Sequence, residues 1–323
     1  VMAAPQTGTR GAPKVAIIGS GLIGCAWAVS FARGGCAVAM TDQSDDVLAD
    51  APARIRQFAE EMAGADLLLG ATADEVCDRV RLAQGMQDAL EGVDHVQENV
   101  PEKVEIKQAV WAELDRLAPP NAVLASSTSA LLPSTFTEGL AGRHRCLVAH
   151  PINPPCLIPA VEVVPAPWTD PEMIERTAAL MTRIGQTPIR MKREVDGFLM
   201  NRLQGALLQE AFRLVDQGIA SPEDVDIGIR DGLAPRWALM GPFETIDLNA
   251  PGGVRDYVAR YQGMYGTMAP SQREPADWFG PALDQIDSER RAAVPVQDIP
   301  KAQARRDSRL MALMQFLRGK DRA

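Results

Sequence analysis

The stretch "VAHPINPPCLIPAVEVV", Val148–Val164, ends one apolar run on an imidazole, His150, and sets a carboxylate, Glu162, inside the next. A buried carboxylate is costly unless it is paired. A glutamate among valines therefore points to a partner, and His150 is the natural one. Imidazole titrates near neutrality and is the usual group for taking a proton from a hydroxyl. The chain has three histidines: His95 lies inside an apolar run and His144 in the polar "GRHR", so His150 is the one that ends a strand candidate on the presumed ligand side. Glu162 would fix one ring nitrogen and stabilise the imidazolium. On position alone, a purely structural His–Glu pair reads equally well. "ASSTSALLPS" places the hydroxyls of Ser127, Thr128 and Ser129 just past another apolar run, and at least one of them is expected to cap a helix at "LLPSTF". Asn201 in "GFLMNRL" opens a long helical pattern, where its amide could hold a substrate oxygen or be a solvated or capping group.

A second constellation supplies a reaction partner for such a base. "KVAIIGSGLIGCAWAVSFARGG" spaces Gly19, Gly21 and Gly24 as G-x-G-x-x-G, directly after a strand candidate and at the head of a helical pattern. The first glycine allows a tight turn, the second lets backbone approach a pyrophosphate, and the third allows close helix–strand packing. With Leu22 and Ile23 between them, they would cradle a dinucleotide at a helix N-terminus. The next run, "AVAMTD", ends on Asp42, with no Arg at positions 43–45. A carboxylate there accepts both ribose hydroxyls and repels a 2′-phosphate, which favours NAD over NADP. The alternatives are a Gly-rich turn of another α/β protein, or FAD in place of NAD.

The elements that must carry these residues alternate. Strand candidates are residues 15–19, 37–41, 80–82, 95–98, 123–126, 147–150, 160–164 and 188–191, with helical patterns such as 57–69, 102–117 and 171–184 between them. Such alternation predicts parallel strands joined by crossover helices, a Rossmann-type doubly wound α/β sheet domain. After "KREVDGF" the chain turns helical, with Ser221 as an N-cap and Pro222 at a first helical position. The expected division is a dinucleotide-binding domain over 14–193 and an all-α domain over 194–323. Residues 264–296 read as loops and short helices, and 305–318 as a basic amphipathic helix packed on its own domain. The first fourteen residues lack an apolar signal core and read as a disordered lead-in.

The remaining composition excludes several classes. With 323 residues and a net charge of −9, the chain has no electrostatic footprint for nucleic acid or anionic membrane. No apolar run approaches the roughly 20 residues of a membrane span. Five scattered cysteines without a CxxC read as reduced core residues in a cytoplasmic protein, with no metal site.

Taken in order behind the Gly-rich loop, "SSTSAL", "HPINPP", "VEVV" and "GFLMNRL" resemble the L-3-hydroxyacyl-CoA dehydrogenase family over about residues 14–249. The resemblance implies an NAD-dependent enzyme with His150 as catalytic base and Glu162 as its partner. It implies Ser129 as a substrate and nicotinamide contact, Asn201 on the substrate, and Asn153, Glu98 and Lys103 as cofactor contacts. It also suggests a homodimer joined through the C-terminal domain. Family members that act on CoA esters carry lysines in the helical arm after the second strand, and here that arm has only Arg54 and Arg56. "DGLAPRWALMGPFETIDLNAPGG" resembles instead the branch of lambda-crystallin and L-gulonate 3-dehydrogenase, near carnitine dehydrogenases and a diketoreductase, whose substrates bear a free carboxylate. Arg236 is then the candidate carboxylate clamp, unless it is exposed or pairs with Asp231. The expected reaction is oxidation of the 3-hydroxyl of a small L-3-hydroxyacid to the 3-keto acid. The rivals are a 3-hydroxybutyryl-CoA dehydrogenase and a non-catalytic, crystallin-like NAD-binding protein.

Overall fold

The eight apolar runs become eight strands in the computed structural model, which describes residues 11–319. They are β1 (Lys14–Ile18), β2 (Ala37–Thr41), β3 (Val80–Leu82), β4 (His95–Glu98), β5 (Val123–Ser126), β6 (Cys146–Pro151), β7 (Ala160–Pro165) and β8 (Thr187–Arg190). One sheet contains them all, in the order β3-β2-β1-β4-β5-β6-β7-β8. The order reverses between β1 and β4, and ligands of doubly wound sheets bind at that switch point, beyond the carboxyl ends of the strands. Of the expected N-terminal lead-in, residues 1–10 lie outside the described residues.

Pairing is parallel throughout except between β6 and β7, which run antiparallel and correct the all-parallel expectation. Residues 152–159 join these two strands without a helix, and a link of that length is too short for a parallel crossover. In this register His150 faces Glu162 directly. Facing residues of an antiparallel pair hold their Cβ atoms about 4.5–5.5 Å apart on one face.

Between the strands lie α1 (Leu22–Arg33), α2 (Asp45–Gly64), α3 (Ala73–Asp78), α4 (Met86–Ala89), α5 (Val104–Leu117), α6 (Pro133–Thr137) and α7 (Pro171–Arg183). The sheet therefore has a core on each face. One holds Trp27, Phe31, Met40 and Met181; the other holds Trp111, Leu114, Phe136 and Phe198. Small residues let α1 sit buried from Gly24 to Arg33. At its end the buried Arg33 guanidinium donates to the carbonyls of Ile184 (3.0 Å) and Cys156 (2.7 Å), and burial lowers its pKa to about 9. Burial also raises the Cys25 and Cys36 thiols to about 11 and Cys146 to about 12, which leaves them protonated.

The remaining helices are α8 (Met200–Asp216), α9 (Pro222–Ile227), α10 (Ala234–Trp237), α11 (Pro242–Leu248), α12 (Gly253–Gln272), α13 (Pro281–Ala293) and α14 (Ile299–Arg318). Ser221 caps α9 by accepting the Asp224 amide at 3.1 Å. The chain forms two compact units, one ending at Met200 and regaining the chain from Arg309, the other Asn201–Ser308. The end of the chain thus belongs with the first unit, which corrects the reading of the tail as packed on the helical domain. Met311 and Met314 of α14 pack against the sheet core, and Arg318 donates to the Leu67 carbonyl at 3.3 Å. The reading of 264–296 as loops and short helices is also overturned. Helix α12 continues through Met264 to Gln272, Pro281 opens α13, and the link between them is held by Arg213 on the Gln272 carbonyl (3.1 Å) and by Phe212 stacked on Trp278. Among the described residues no helix is long and apolar enough to cross a membrane.

His95 is a buried imidazole in β4, whose Nε2 meets Gln97 Oε1 at 3.1 Å. Burial lowers its pKa from 6.5 to about 4. Above pH 6.5 the folded and unfolded chains are both neutral at this site; below it the unfolded chain takes a proton that the folded one refuses until about pH 4. Stability should therefore fall with acid across that window, by about 2 kcal/mol from this group between pH 7 and pH 5. Urea unfolding at the two pH values should show His95→Gln losing less stability than the unmodified protein. Equal losses would assign the acid sensitivity to other groups.

Candidate active site

Three loops and one strand end meet at the carboxyl rim of the sheet. After β1 the chain turns at Gly19, whose φ of +95° suits glycine, and a Cβ there would lie 2.8 Å from the Asn99 carbonyl. A Cβ at Gly24 would meet the Gly19 carbonyl at 2.0 Å, so helix and turn touch backbone to backbone. At Gly21 a Cβ would meet nothing within 4 Å. The space above the second glycine is open, as the approach of a pyrophosphate requires. A cleft of about 540 Å³ lies there, lined by Gly19, Gly21, Asp42, Asn99 and Val100 among others.

Asp42 follows β2 and is already engaged on the protein side. Its Oδ2 accepts the Ser20 amide (2.6 Å) and hydroxyl (3.1 Å), and its Oδ1 accepts the Ser44 amide (3.0 Å). Ser20, absent from the sequence reading, thus ties the Gly-rich turn to β2. A carboxylate accepts about four hydrogen bonds, so Asp42, with three taken, keeps room for a ribose hydroxyl while its position is set.

At the other end of the site His150 is 5% exposed and Glu162 fully buried. His150 Nδ1 lies 2.6 Å from Glu162 Oε2. The other carboxylate oxygen, Oε1, accepts the amides of Leu199 (2.7 Å) and Met200 (2.9 Å) where α8 begins. Amides at a helix start lack intrahelical partners and carry its positive dipole end. Burial pushes the Glu162 carboxyl up, but the His150 bond and the two amides outweigh it, and its pKa falls below the ordinary value. It therefore stays ionised at neutral pH and holds a proton on Nδ1, which leaves the Nε2 lone pair able to accept one. Phe198 packs its ring 5.6 Å from the imidazole and has a φ of +47°, a conformation bulky residues rarely adopt. The bend at Phe198 aims both amides at Glu162.

The β5 loop holds Ser127, Thr128 and Ser129. None of them caps α6, whose N-cap is Leu132 without a side-chain bond; instead Thr128 Oγ1 accepts the Leu131 amide at 3.0 Å. The Ser129 amide is bound by Glu102 at 3.1 Å. Ser127 accepts from Trp27 Nε1 (3.0 Å) and Gln97 Nε2 (2.7 Å).

Glu98 corrects an expectation. Anticipated as a cofactor contact, it is fully buried. Its carboxylate accepts from Lys107 (2.9 and 3.0 Å), Trp111 Nε1 (3.0 Å), the Ser126 hydroxyl (2.6 Å) and the Val100 amide (2.6 Å). Those donors use up its oxygens. Lys103 is exposed one residue before α5, and Asn153 is exposed in the loop after β6. In the second unit, Asn201 is the second residue of α8 and Arg236 lies on α10. Arg236 is exposed and, among the described residues, forms no ion pair; Asp231 pairs with Arg230 instead, at 2.9 Å. Among the described residues no three of His, Cys, Asp or Glu are grouped to hold a metal ion.

A doubly wound sheet with this turn and this acid at the end of β2 is the site of a nicotinamide-dinucleotide oxidoreductase. The chain matches the 3-hydroxyacyl-CoA dehydrogenase NAD binding domain over residues 14–195 and the 3-hydroxyacyl-CoA dehydrogenase C-terminal domain over residues 197–281. It is 41% identical to a lambda-crystallin homolog of Bos taurus over 98% of each chain. It is 37% identical to an L-carnitine dehydrogenase of Oceanobacillus iheyensis, over 73% of this chain and 75% of that one. A solved 5-formyl-3-hydroxy-2-methylpyridine 4-carboxylic acid 5-dehydrogenase, an NAD+-dependent dismutase, superposes with a TM-score of 0.81 at 27% identity, covering 96% of this chain and 100% of its own. The protein belongs to the 3-hydroxyacyl-CoA dehydrogenase family and is an NAD-dependent dehydrogenase.

Two outcomes follow from the geometry. Asp42→Ser removes the charge that opposes a 2′-phosphate, so the preference for NAD+ over NADP+ should narrow in kcat/KM; an unchanged ratio would remove Asp42 from cofactor selection. Glu162→Gln leaves the Nδ1 proton unfixed and should lower kcat by about 10²-fold or more, while NADH affinity, read by fluorescence titration, stays that of the unmodified protein.

Proposed function

We propose that the protein oxidises the 3-hydroxyl of a small L-3-hydroxyacid, of the L-gulonate kind, to the 3-keto acid. NAD, when bound, accepts the hydride from C3. The Gly19–Gly24 turn, with Leu22 and Ile23, and the α1 N-terminus hold its phosphates, Asp42 its ribose, and Lys103 and Asn153 its nicotinamide side. His150 Nε2 takes the hydroxyl proton while Glu162 keeps the ring oriented and stabilises the imidazolium. Ser129 and Asn201 bind the reacting oxygen, and Arg236 holds the carboxylate bidentately. The second unit joins the protein to a second copy. Exposed Phe243, Leu239 and Leu248 on that unit support such a pairing.

The charge distribution carries the choice of substrate. On α2 the arm arginines are both engaged, Arg54 with Asp50 at 3.3 Å and Arg56 with Asp74, so a CoA phosphate would find no lysine and no unpaired arginine there. Arg236 keeps its charge uncompensated. The names of two relatives point the same way, since carnitine and the pyridine 4-carboxylic acid both bear a free carboxylate.

An NADH-release screen of L-gulonate, L-carnitine, L-3-hydroxybutyrate and 3-hydroxybutyryl-CoA tests the proposal. One of the acids should be preferred, and Arg236→Met should lower its kcat/KM by about 10- to 100-fold, the loss of a charge-assisted pair worth about 1.5–3 kcal/mol. Strong turnover of the CoA ester that is indifferent to residue 236 would refute the hydroxyacid reading. Light scattering at two protein concentrations tests the dimer.

A further inference from the structure

The loop after β5 lies outside both sheet and helix, yet each of its five amides from Ser127 to Leu131 is bonded. Ser127 donates to the Glu98 carbonyl (2.8 Å), Thr128 to Ser126 Oγ (3.1 Å), Ser129 and Ala130 to Glu102 Oε1 (3.1 Å each), and Leu131 to Thr128 Oγ1 (3.0 Å). The Thr128 hydroxyl in turn donates to Glu102. The acceptors lead back to two carboxylates. Glu102 takes two amides and one hydroxyl. Glu98 fixes Ser126 Oγ at 2.6 Å and is itself locked by Lys107, an ion pair with both side chains at least 99% buried.

A buried ion pair gains little stability over apolar residues of the same volume. What this one provides is geometry. The Ser126 hydroxyl has its proton on Glu98, so its lone pairs are turned to Lys107 (3.3 Å) and to the Thr128 amide. Glu102 then reads the next two amides from the other side of the loop. Beyond the one bond from Ser127 to the Glu98 carbonyl the sheet gives this loop nothing; the locked Glu98 sets its start through Ser126, and Glu102 gathers Thr128, Ser129 and Ala130.

We propose that Glu102 and the Glu98–Lys107 pair are positioning residues for the Ser129 loop, acting on the reaction through the placement of Ser129. The inference rests on the role assigned to Ser129 above. Misplacing a substrate-contacting group by about 1 Å can slow a reaction 10²-fold. Cofactor affinity, for which the Gly19–Gly24 turn and Asp42 hold the phosphates and ribose, should respond far less than kcat.

The test is a double-mutant cycle in the full chain with Glu102→Ala, Ser129→Ala and their combination, using whichever compound of the screen gives the fastest NADH release. Alanine removes Oε1, the oxygen on which the Thr128 hydroxyl and the Ser129 and Ala130 amides all converge. Glu102→Ala is expected to lower kcat about 10- to 100-fold, with an unchanged NADH affinity and a larger isotope effect from substrate deuterated at C3. If Glu102 acts through Ser129, the double variant is no slower than the slower single one. Losses that multiply overturn the proposal, as does a raised KM for NAD+ at unchanged kcat, which would make Glu102 a direct cofactor ligand. If Ser129→Ala alone leaves kcat intact, the assignment of Ser129 falls and the positioning role with it. A harmful Ser129→Ala with multiplying losses removes the positioning role alone. Glu98→Gln combined with Lys107→Met, which strands no buried charge, provides a second route to the same comparison.

Discussion

Glu162 is a carboxylate with no access to water, and the active end of the sheet is arranged around that constraint. A buried carboxylate without donors would pick up a proton or unfold its surroundings. Here three donors from two places meet it: an imidazole from β6 and two amides from the start of α8. The antiparallel turn of β7 brings Glu162 opposite His150, and the strained bend at Phe198 delivers the amides. The same charge that orients the imidazole also caps the helix whose second residue is Asn201. Imidazole and helix start are thereby linked through one side chain.

The other loops at the rim follow the same principle. Loop amides cannot be satisfied by the sheet ladder, and buried ones must find partners. Asp42 serves the turn after β1 and its own loop, Glu98 serves Val100 and Ser126, and Glu102 serves the loop after β5. These acids differ in what they leave over. Asp42 lines an open cleft and has lone pairs to spare for a ligand, whereas Glu98 has none. That difference separates a binding group from a supporting one among residues that look alike in sequence.

On the hydroxyacid reading, charge placement is what would separate substrates that the proposed catalytic groups would not. Every residue proposed to touch the reacting oxygen would serve an acyl-CoA or a hydroxyacid equally. The distinction lies at the periphery, where the α2 arginines are neutralised by neighbouring aspartates and Arg236 is not. Exposed pairs of this kind add little to stability, but they decide which anion finds an available cation.

Hydrophobic patterning, glycine spacing and the chemistry of a lone buried acid were readable along the chain, because each is local. The eight strands, the G-x-G-x-x-G turn with Asp42, and the need of Glu162 for a partner follow from local spacing or from the cost of burying a charge. Three features were not readable. The direction of β7 depends on a short connection, and only the antiparallel register places Glu162 opposite His150. Glu98 reads as a cofactor contact; burial among Lys107, Trp111 and Ser126 engages its carboxylate, and Ser126 reaches it from another strand. Helices α12 and α13 carry Gly and Pro at positions that read as loops, yet α12 runs on through them and the link beyond it is held by Arg213 and Phe212 of α8. Local propensity is worth about 1 kcal/mol per residue or less, apart from proline, and tertiary contacts outweigh it wherever distant residues supply the missing partners.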